Sequence, residues 1–463
     1  MAVTLTLTAG QRQALFAHLF PADGCEAVAI LLCGMARHAD PLRLVVRQIH
    51  LVPHEACVRR LDSVTWPTEV MVPWLHAAGK YGHAVVKIHG HRGFDRFSDT
   101  DDHADRQLFP SLYAWVDGAP VHASVVLMDD GRLFGRVVTG DGRFQPLDAV
   151  SVIGDDIERF PGHPDGTPNA VPEHGRRIAQ TFGGRTFELL RRLRVGVVGC
   201  SGTGSPVIEQ LARNCVGALV LVDPDRVEHK NLNRIANTTL ADAEAQRLKV
   251  DVATRAVQAM GLGTQVTALP STLFDRHVVQ QLAACDVLFG CMDTIDGRHL
   301  LNKLAVFYGI PYFDLGVKIE ADGRGGVDQV CGSVHYMRPD GSSLLSRHVY
   351  TLEQVRAAGL MRTDPQQYRQ LLAEGYIRGI QEDRPAVVQL NTLIASLAVN
   401  ELLARLHPYR LDPNGDHDIT RMSLSHGIFE HEPGGEPCPV MARHLGRGDV
   451  EPLLDWAELS EAA

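Results

Sequence analysis

From Leu193 the chain runs from a short apolar segment, LRVGVVG, into a glycine-spaced turn, CSGTGS, and then into an amphipathic stretch, SPVIEQLARN. A buried strand that turns into a helix within a few residues, with Gly199, Gly202 and Gly204 in the turn, leaves few folds open. The alternation continues through ALVLVD, RLKVDVATRAVQAM, QVTALP, DVLFG, GRHLLNKLAVFYG and PYFDLG. Short apolar runs between helix-length segments predict parallel strands in a doubly wound, Rossmann-like α/β sheet. Glycines in such a turn let a phosphate approach the helix N-terminus. Further on, Val387 to Leu406 has the apolar spacing of a packed helix.

The chain has 463 residues, and at roughly 150 residues per domain this predicts about three domains, or two with a tail. Before the alternating block stand a helical stretch (Gln11 to Phe20), apolar runs (Ala27 to Cys33, His83 to Ile88, Ala123 to Met128) and the turn Asp129-Asp130-Gly131. These predict a compact α+β domain over residues 1–155. RFPGHPDGTPNAVPEHG, ending at Gly175, is rich in proline and glycine and predicts a linker over 156–175. The nucleotide-type domain is then expected over 176–410, with a Gly/Pro/Asp-rich C-terminal extension over 411–463.

Composition narrows the function classes. Hydrophobic residues at 45% and charged residues at 22% are globular values and argue against disorder. A formal charge of −10 makes a general nucleic-acid partner a poor expectation, because such binding rests on phosphate neutralisation. The nine cysteines are scattered with no Cys-x-x-Cys pair, which argues against a disulfide scaffold or zinc ribbon. No apolar window suits a membrane span, and MAVTLTLTAGQRQ is not a leader. The expectation is a soluble protein of a reducing cytoplasm.

In the first block, IHGHRGFDRFSDTD places His89 and His91 two residues apart on a strand, so both imidazoles share a face. Ser98 and Asp101 follow. Two histidines and a carboxylate with an open position suit a catalytic zinc, and Glu26, at the head of EAVAILLCG, is placed to exchange protons. Glu, then His-x-His, then Ser-x-x-Asp resembles the JAB/JAMM metalloproteases. The resemblance implies an MPN-like domain in which His89, His91 and Asp101 bind Zn2+, Glu26 activates water and Ser98 stabilises the oxyanion. Arg92 stands where that family usually has proline, and the His91-to-Ser98 gap is short, which leaves Asp102 as a back-up ligand.

In the second block, Asp223 ends a strand in DPDRVEHKNLNR, placed for ribose hydroxyls, with Asp225 beside it. Asn231, Arg234 and Lys249 follow as a polar and cationic set that a triphosphate needs and a nicotinamide cofactor does not. Asp293, in CMDTIDGR, stands past another strand as a Mg2+ candidate. The block is similar to the ThiF/MoeB and ubiquitin-activating superfamily. That resemblance implies ATP on the glycine turn and Asp223, phosphate contacts from Asn231, Arg234 and Lys249, and Mg2+ on Asp293. Arg298 matches the arginine of the last motif, and Arg176 matches one that reaches a partner's nucleotide across a homodimer.

The implied reaction is adenylation of the C-terminal glycine of a ubiquitin-like protein, which a conjugating enzyme then accepts. Where relatives carry cysteine pairs for a structural zinc or thioester, this chain has Ser343 and Ser346, then Cys438 and Met441. Ser343, kept as a candidate catalytic residue, is either an engineered replacement of a nucleophilic cysteine that would trap the acyl group or a natural residue with acyl transfer passing straight from the adenylate. Cys331 and Cys438 remain as thiol alternatives, and Cys200 is expected to pack. A fused peptidase would mature or remove the same ubiquitin-like protein, as in bacterial conjugation systems, some tied to antiphage defence. The alternatives are a sulfur-carrier adenylyltransferase and a non-catalytic scaffold.

Overall fold

The structure is a computed structural model and describes residues 1–116, 118–162, 170–322, 324, 326–374, 376 and 387–461. It divides into two compact units. The first holds Met1–Thr167, Phe307–Gly309 and His444–Val450; the second holds Pro168–Val306, Ile310–Arg443 and Glu451–Ala463.

The strands of the first unit are β1 (Val3–Thr8), β2 (Val28–Ala36), β3 (Leu42–Leu51), β4 (Val58–Arg59), β5 (Val64–Thr65), β6 (Ala84–His91), β7 (His122–Met128), β8 (Leu133–Val138), β9 (Phe144–Pro146), β10 (Ala149–Ile153) and β11 (Ile157–Pro161). Nine of them form one mixed sheet in the order β11-β10-β1-β3-β2-β6-β7-β8-β9, while β4 and β5 pair as a small hairpin. Every residue of β2 and β6 is buried, which is why these strands read as apolar runs rather than as alternations. The helix Ala9–Leu19 begins at a capping box between Thr8 and Gln11. The helix Asp99–Trp115 begins at a second one, between Ser98 and Asp101.

The linker expectation needs correction at its start. Residues 157–161 are β11, antiparallel to β10; Pro161 is tolerated because it ends an edge strand and interrupts no central ladder. Residues 163–169 lie outside the described residues. Glu173–Gly175 is a 3-10 turn that leads into the helix Arg176–Arg192.

The second unit contains β12 (Arg194–Val198), β13 (Ala218–Val222), β14 (Gln265–Leu269), β15 (Val287–Gly290), β16 (Tyr312–Ala321), β17 (Val327–Met337), β18 (Ile419–Ser423) and β19 (Ile428–Glu432). Their order is β14-β13-β12-β15-β16-β17-β18-β19. The first five are parallel, as expected for a Rossmann-like sheet. The last three run antiparallel, so the sheet is mixed. Two of these strands, β18 and β19, lie beyond residue 410, and His444–Val450 belongs to the first unit. The expected separate C-terminal extension is therefore built into the two units, since its strands complete a ladder that β17 would otherwise leave open.

The helix Val388–Leu406 packs along the helix Gly204–Arg213, where Gln210 Nε2 donates to Ser396 Oγ at 3.1 Å. It also lies on β17, because a Cβ at Gly332 would stand 2.3 Å from Ile394 Cδ1. Strand β12 lies between β13 and β15, and the chain leaves it in opposite directions, which makes the carboxyl end of β12 the switch point of the sheet. Among the described residues no helix is long and apolar enough to cross a membrane.

Candidate functional site

In the first unit, β6 carries His89 and His91 on one face, and the first turn of the helix Asp99–Trp115 brings Asp101 to them. His89 Nε2 and His91 Nε2 are 3.0 Å apart. Asp101 Oδ1 lies 2.9 Å from His89 Nε2 and Oδ2 lies 3.4 Å from His91 Nε2. Both imidazoles are buried, and the three side chains form the one group among the described residues whose ligand atoms could jointly hold a metal ion.

His91 Nδ1 contacts the Phe94 carbonyl oxygen at 2.9 Å. That contact places the ring proton on Nδ1 and leaves the Nε2 lone pair for a ligand. Burial lowers the His89 pKa. Burial also acts on His91, but the Asp101 carboxylate and the Phe94 carbonyl outweigh it and its pKa is raised. Asp101 is buried too, yet the two imidazoles and Ser98 hold its carboxyl well below the usual carboxylate range. The donor set therefore fits a divalent zinc-type ion, with two nitrogen ligands and an ionised carboxylate.

Glu26 and Ser98 fall into the same neighbourhood. Val28 pairs with His89 across β2 and β6, and Glu26 stands two residues ahead of Val28, where its N–H donates to the Arg60 carbonyl at 2.7 Å. Desolvation raises the Glu26 pKa to about 7, with His91 opposing and Asp101 adding to the shift. A carboxyl that titrates near neutrality can give and take protons. Ser98 is the helix N-cap: its Oγ donates to Asp101 Oδ2 at 2.7 Å and accepts from the Asp101 N–H at 3.1 Å. The hydroxyl thus fixes Asp101 directly.

Asp102 does not serve as a back-up ligand. Its Oδ1 accepts from Arg136 Nη1 at 2.5 Å, and this ion pair turns it away from the histidines. Behind the triad lies a buried network that sequence reasoning missed. Lys87 Nζ bonds Asp105 Oδ1, Arg136 Nη2 donates to Asp105 Oδ2 at 2.7 Å, and the Arg136 guanidinium sits between the rings of Phe97 and Phe144. The signals were the two-residue step from Lys87 to His89 and the four-residue step from Asp101 to Asp105.

In the second unit the glycine turn sits at the switch point. Gly199 has φ +93°, a left-handed value that favours glycine. A Cβ on Gly204 would stand 1.8 Å from the Gly199 carbonyl oxygen, so no larger residue fits. Asp223 is buried at the end of β13; its Oδ2 accepts from the Cys200 N–H at 2.7 Å and its Oδ1 from the Asp225 N–H at 2.9 Å. Burial raises its pKa, with Lys249 pulling the other way. Lys249 Nζ lies 2.7 Å from Asp225 Oδ2 and 3.9 Å from Asp223 Oδ1.

Arg234 donates to the Lys230 carbonyl at 2.6 Å, and its Cδ would stand 3.6 Å from a Cβ on Gly202. Asn231 is buried, and its Oδ1 accepts from the Glu228 N–H at 3.0 Å, closing the cap of its own turn. Asp293 is exposed on the segment after β15, whose residue Cys291 abuts Gly199. The structure thus gathers Gly199, Gly202, Gly204, Asp223, Asp225, Arg234 and Lys249 at one sheet edge.

Three expected residues are engaged elsewhere or lie open, away from the roles expected of them. Arg298 is bound to the buried carboxylate of Asp314, with Nε donating to Oδ1 at 2.9 Å, and Tyr312 OH donates to the same oxygen at 2.7 Å. Arg176 is exposed and 3.4 Å from Glu173. Ser343 is 1% exposed, and its Oγ accepts from the Ser346 N–H at 3.2 Å. A buried hydroxyl used as a turn cap is not presented to an acyl group, which corrects the acceptor assignment. Cys438 and Cys200 are also buried, whereas Cys331 is partly open.

A glycine turn at the switch point of a parallel sheet, closed by an anchored acid and a lysine, defines a nucleotide-type α/β unit. The profile of the ThiF family matches residues 174–430, more than half of the chain, and the chain belongs to that family. Among curated relatives, the sulfur carrier protein adenylyltransferase of Thermus thermophilus is 32% identical over 151 residues, 33% of this chain and 55% of that protein. The SAMP-activating enzyme E1 of Haloferax volcanii is 35% identical over 118 residues, 26% of this chain and 43% of that one. The chain thus spans about half, or less, of the length of these relatives. The solved structure of E. coli MccB with MccA-N7isoASN aligns at a TM-score of 0.46 and 16% identity, over 59% of this chain and 75% of that one.

Proposed function

We propose that the second unit adenylates the C-terminal carboxylate of a small carrier or ubiquitin-like protein ending in glycine. The observation that carries this reading is the glycine turn at the switch point, with Asp223, Lys249 and Arg234 converging on it. Gly202 and Gly204 give the phosphates access to the backbone, and the carboxylate oxygens of Asp223 keep lone pairs for the ribose hydroxyls. Lys249 and Arg234 would face the phosphate charge, Asn231 would join them through the amide nitrogen that its turn cap leaves over, and Asp293 would hold the magnesium that accompanies ATP. The acceptor carboxylate oxygen bonds to the α-phosphorus and pyrophosphate leaves with the electron pair of the broken P–O bond. Catalysis is positioning and charge neutralisation.

The ThiF family and the names of the relatives support adenylation and favour a sulfur-carrier or ubiquitin-like substrate. The burial of Ser343 takes its hydroxyl out of acyl transfer, so the adenylate passes either to the partly open Cys331 or straight to another acceptor, the second route being that of the sulfur-carrier reading. In this reading Arg176, exposed at the start of its helix, reaches the nucleotide of a second copy.

The first unit is proposed as a JAB/JAMM-type zinc peptidase acting on the same glycine-terminated protein. Zinc held by His89, His91 and Asp101 would supply Lewis acidity and acidify water toward neutrality. Glu26 takes and returns the proton at its carboxyl, and Ser98 holds Asp101 in place. The adenylation reading is tested by incubating the full chain with ATP, magnesium and a glycine-terminated β-grasp protein, and following that protein by intact mass. An AMP adduct that disappears when the terminal glycine is deleted is the expected result; no adduct on any such protein would contradict it.

A further inference from the structure

Asn391 lies in the first turn of the helix Val388–Leu406 and is 2% exposed, yet its Nδ2 has no hydrogen-bond partner among the described residues. Buried amide donors are paired in nearly all folded chains, so an orphan of this kind needs a reason outside folding. Its position supplies one. A Cβ on Gly202 would stand 2.3 Å from Asn391 Nδ2 and 3.6 Å from Arg234 Cδ. The amide and the arginine therefore flank the same glycine, at the start of the helix Gly204–Arg213.

Four features that attract anionic oxygen meet there: the N-termini of two long helices, an arginine and an unpaired N–H donor. An apolar ligand would leave the amide unpaired and a cation would be repelled. We infer that Asn391 donates its Nδ2–H to the phosphate chain of the nucleotide on the glycine turn, so that the turn is contacted by a helix far along the sequence as well as by its own. This rests on the reading that the glycine turn holds ATP.

The test is equilibrium binding of magnesium-ATP and of adenosine to the full chain by calorimetry, without an acceptor protein, for the parent, Asn391→Ala and the isosteric Asn391→Asp. The parent should bind ATP, N391A should bind it about 10- to 100-fold more weakly, as for one hydrogen bond to a charged group, and N391D more weakly still. Adenosine binding should stay within two-fold across the three, and nucleotide-free N391A should melt no lower than the parent. Equal ATP affinity in parent and variants would overturn the role of Asn391 and leave the adenylation reading standing. An equal loss for ATP and adenosine, or a lowered melting temperature in N391A, would overturn it as well by making Asn391 a packing residue. A parent that binds no ATP would overturn the glycine-turn reading itself, and the inference with it.

Discussion

The two imidazoles and the carboxylate of the first unit are held from outside the triad, by the Phe94 carbonyl on His91 and by Ser98 on Asp101. Such outer contacts fix ligand orientation before a metal arrives. Asp101→Asn keeps the shape and removes the negative charge. We expect zinc affinity, measured by chelator competition, to fall by more than the roughly 10- to 100-fold typical of outer partners; an unchanged affinity would remove Asp101 from the ligand set. His122 gives a prediction of a different kind. Its Nδ1 accepts from the Val85 N–H at 2.9 Å, and burial lowers its pKa to about 4. The neutral ring is favoured in the folded chain, so its stabilisation is full above pH 6.5, declines as pH falls below that, and is lost through pH 4. Up to about 3 kcal/mol is involved. His122→Asn keeps an acceptor and cannot titrate there, so its stability against urea should fall less between pH 7 and 5 than that of the parent.

At the scale of elements, the question is what presses the helix Asp99–Trp115 against β6. Asp105, fully buried, pairs with Lys87 on β6 and Arg136 on β8. Removing one partner of a buried ionic cluster leaves charge unpaired and costs about 3–5 kcal/mol. Asp105→Ala should therefore lower stability by that order in denaturant titration, and it should weaken zinc binding because Asp101 rides on the same helix. Full zinc affinity in a destabilised D105A would show that the triad does not depend on this network. The network also marks where the sequence stops being legible. His89, His91 and Asp101 stood out because spacing along one strand and one helix start is local information. Lys87, Asp105 and Arg136 come from three elements, and only the β6-β7-β8 pairing brings them together. For the same reason the parallel part of the second sheet was readable from its alternation, whereas β18 and β19 were not. Both are only five residues long; β19 is almost wholly exposed at the sheet's edge, and β18, though largely buried between β17 and β19, mixes Thr, Arg and Ser with its apolar residues and carries little apolar pattern. Ser343 misled because its motif position resembled that of a thiol, while its burial is set by the turn it caps.

At the scale of the whole chain, each unit contains all the residues of its own candidate site, and no residue is shared between them. His89→Ala should therefore abolish zinc binding and peptidase activity while leaving adenylation intact, and Lys249→Ala should do the reverse; loss of both activities in either variant would contradict two separate sites. The most direct measurement is ATP to pyrophosphate exchange by the full chain with a glycine-terminated ubiquitin-like or sulfur-carrier protein, comparing the parent with Asp293→Ala, whose side chain is exposed and whose loss should leave the fold intact. Exchange that requires the carrier protein and falls by orders of magnitude in the variant is the predicted result. Exchange at parental rate in the variant would remove Asp293 from the magnesium site, and no exchange by the folded parent with any such protein would contradict an adenylating enzyme.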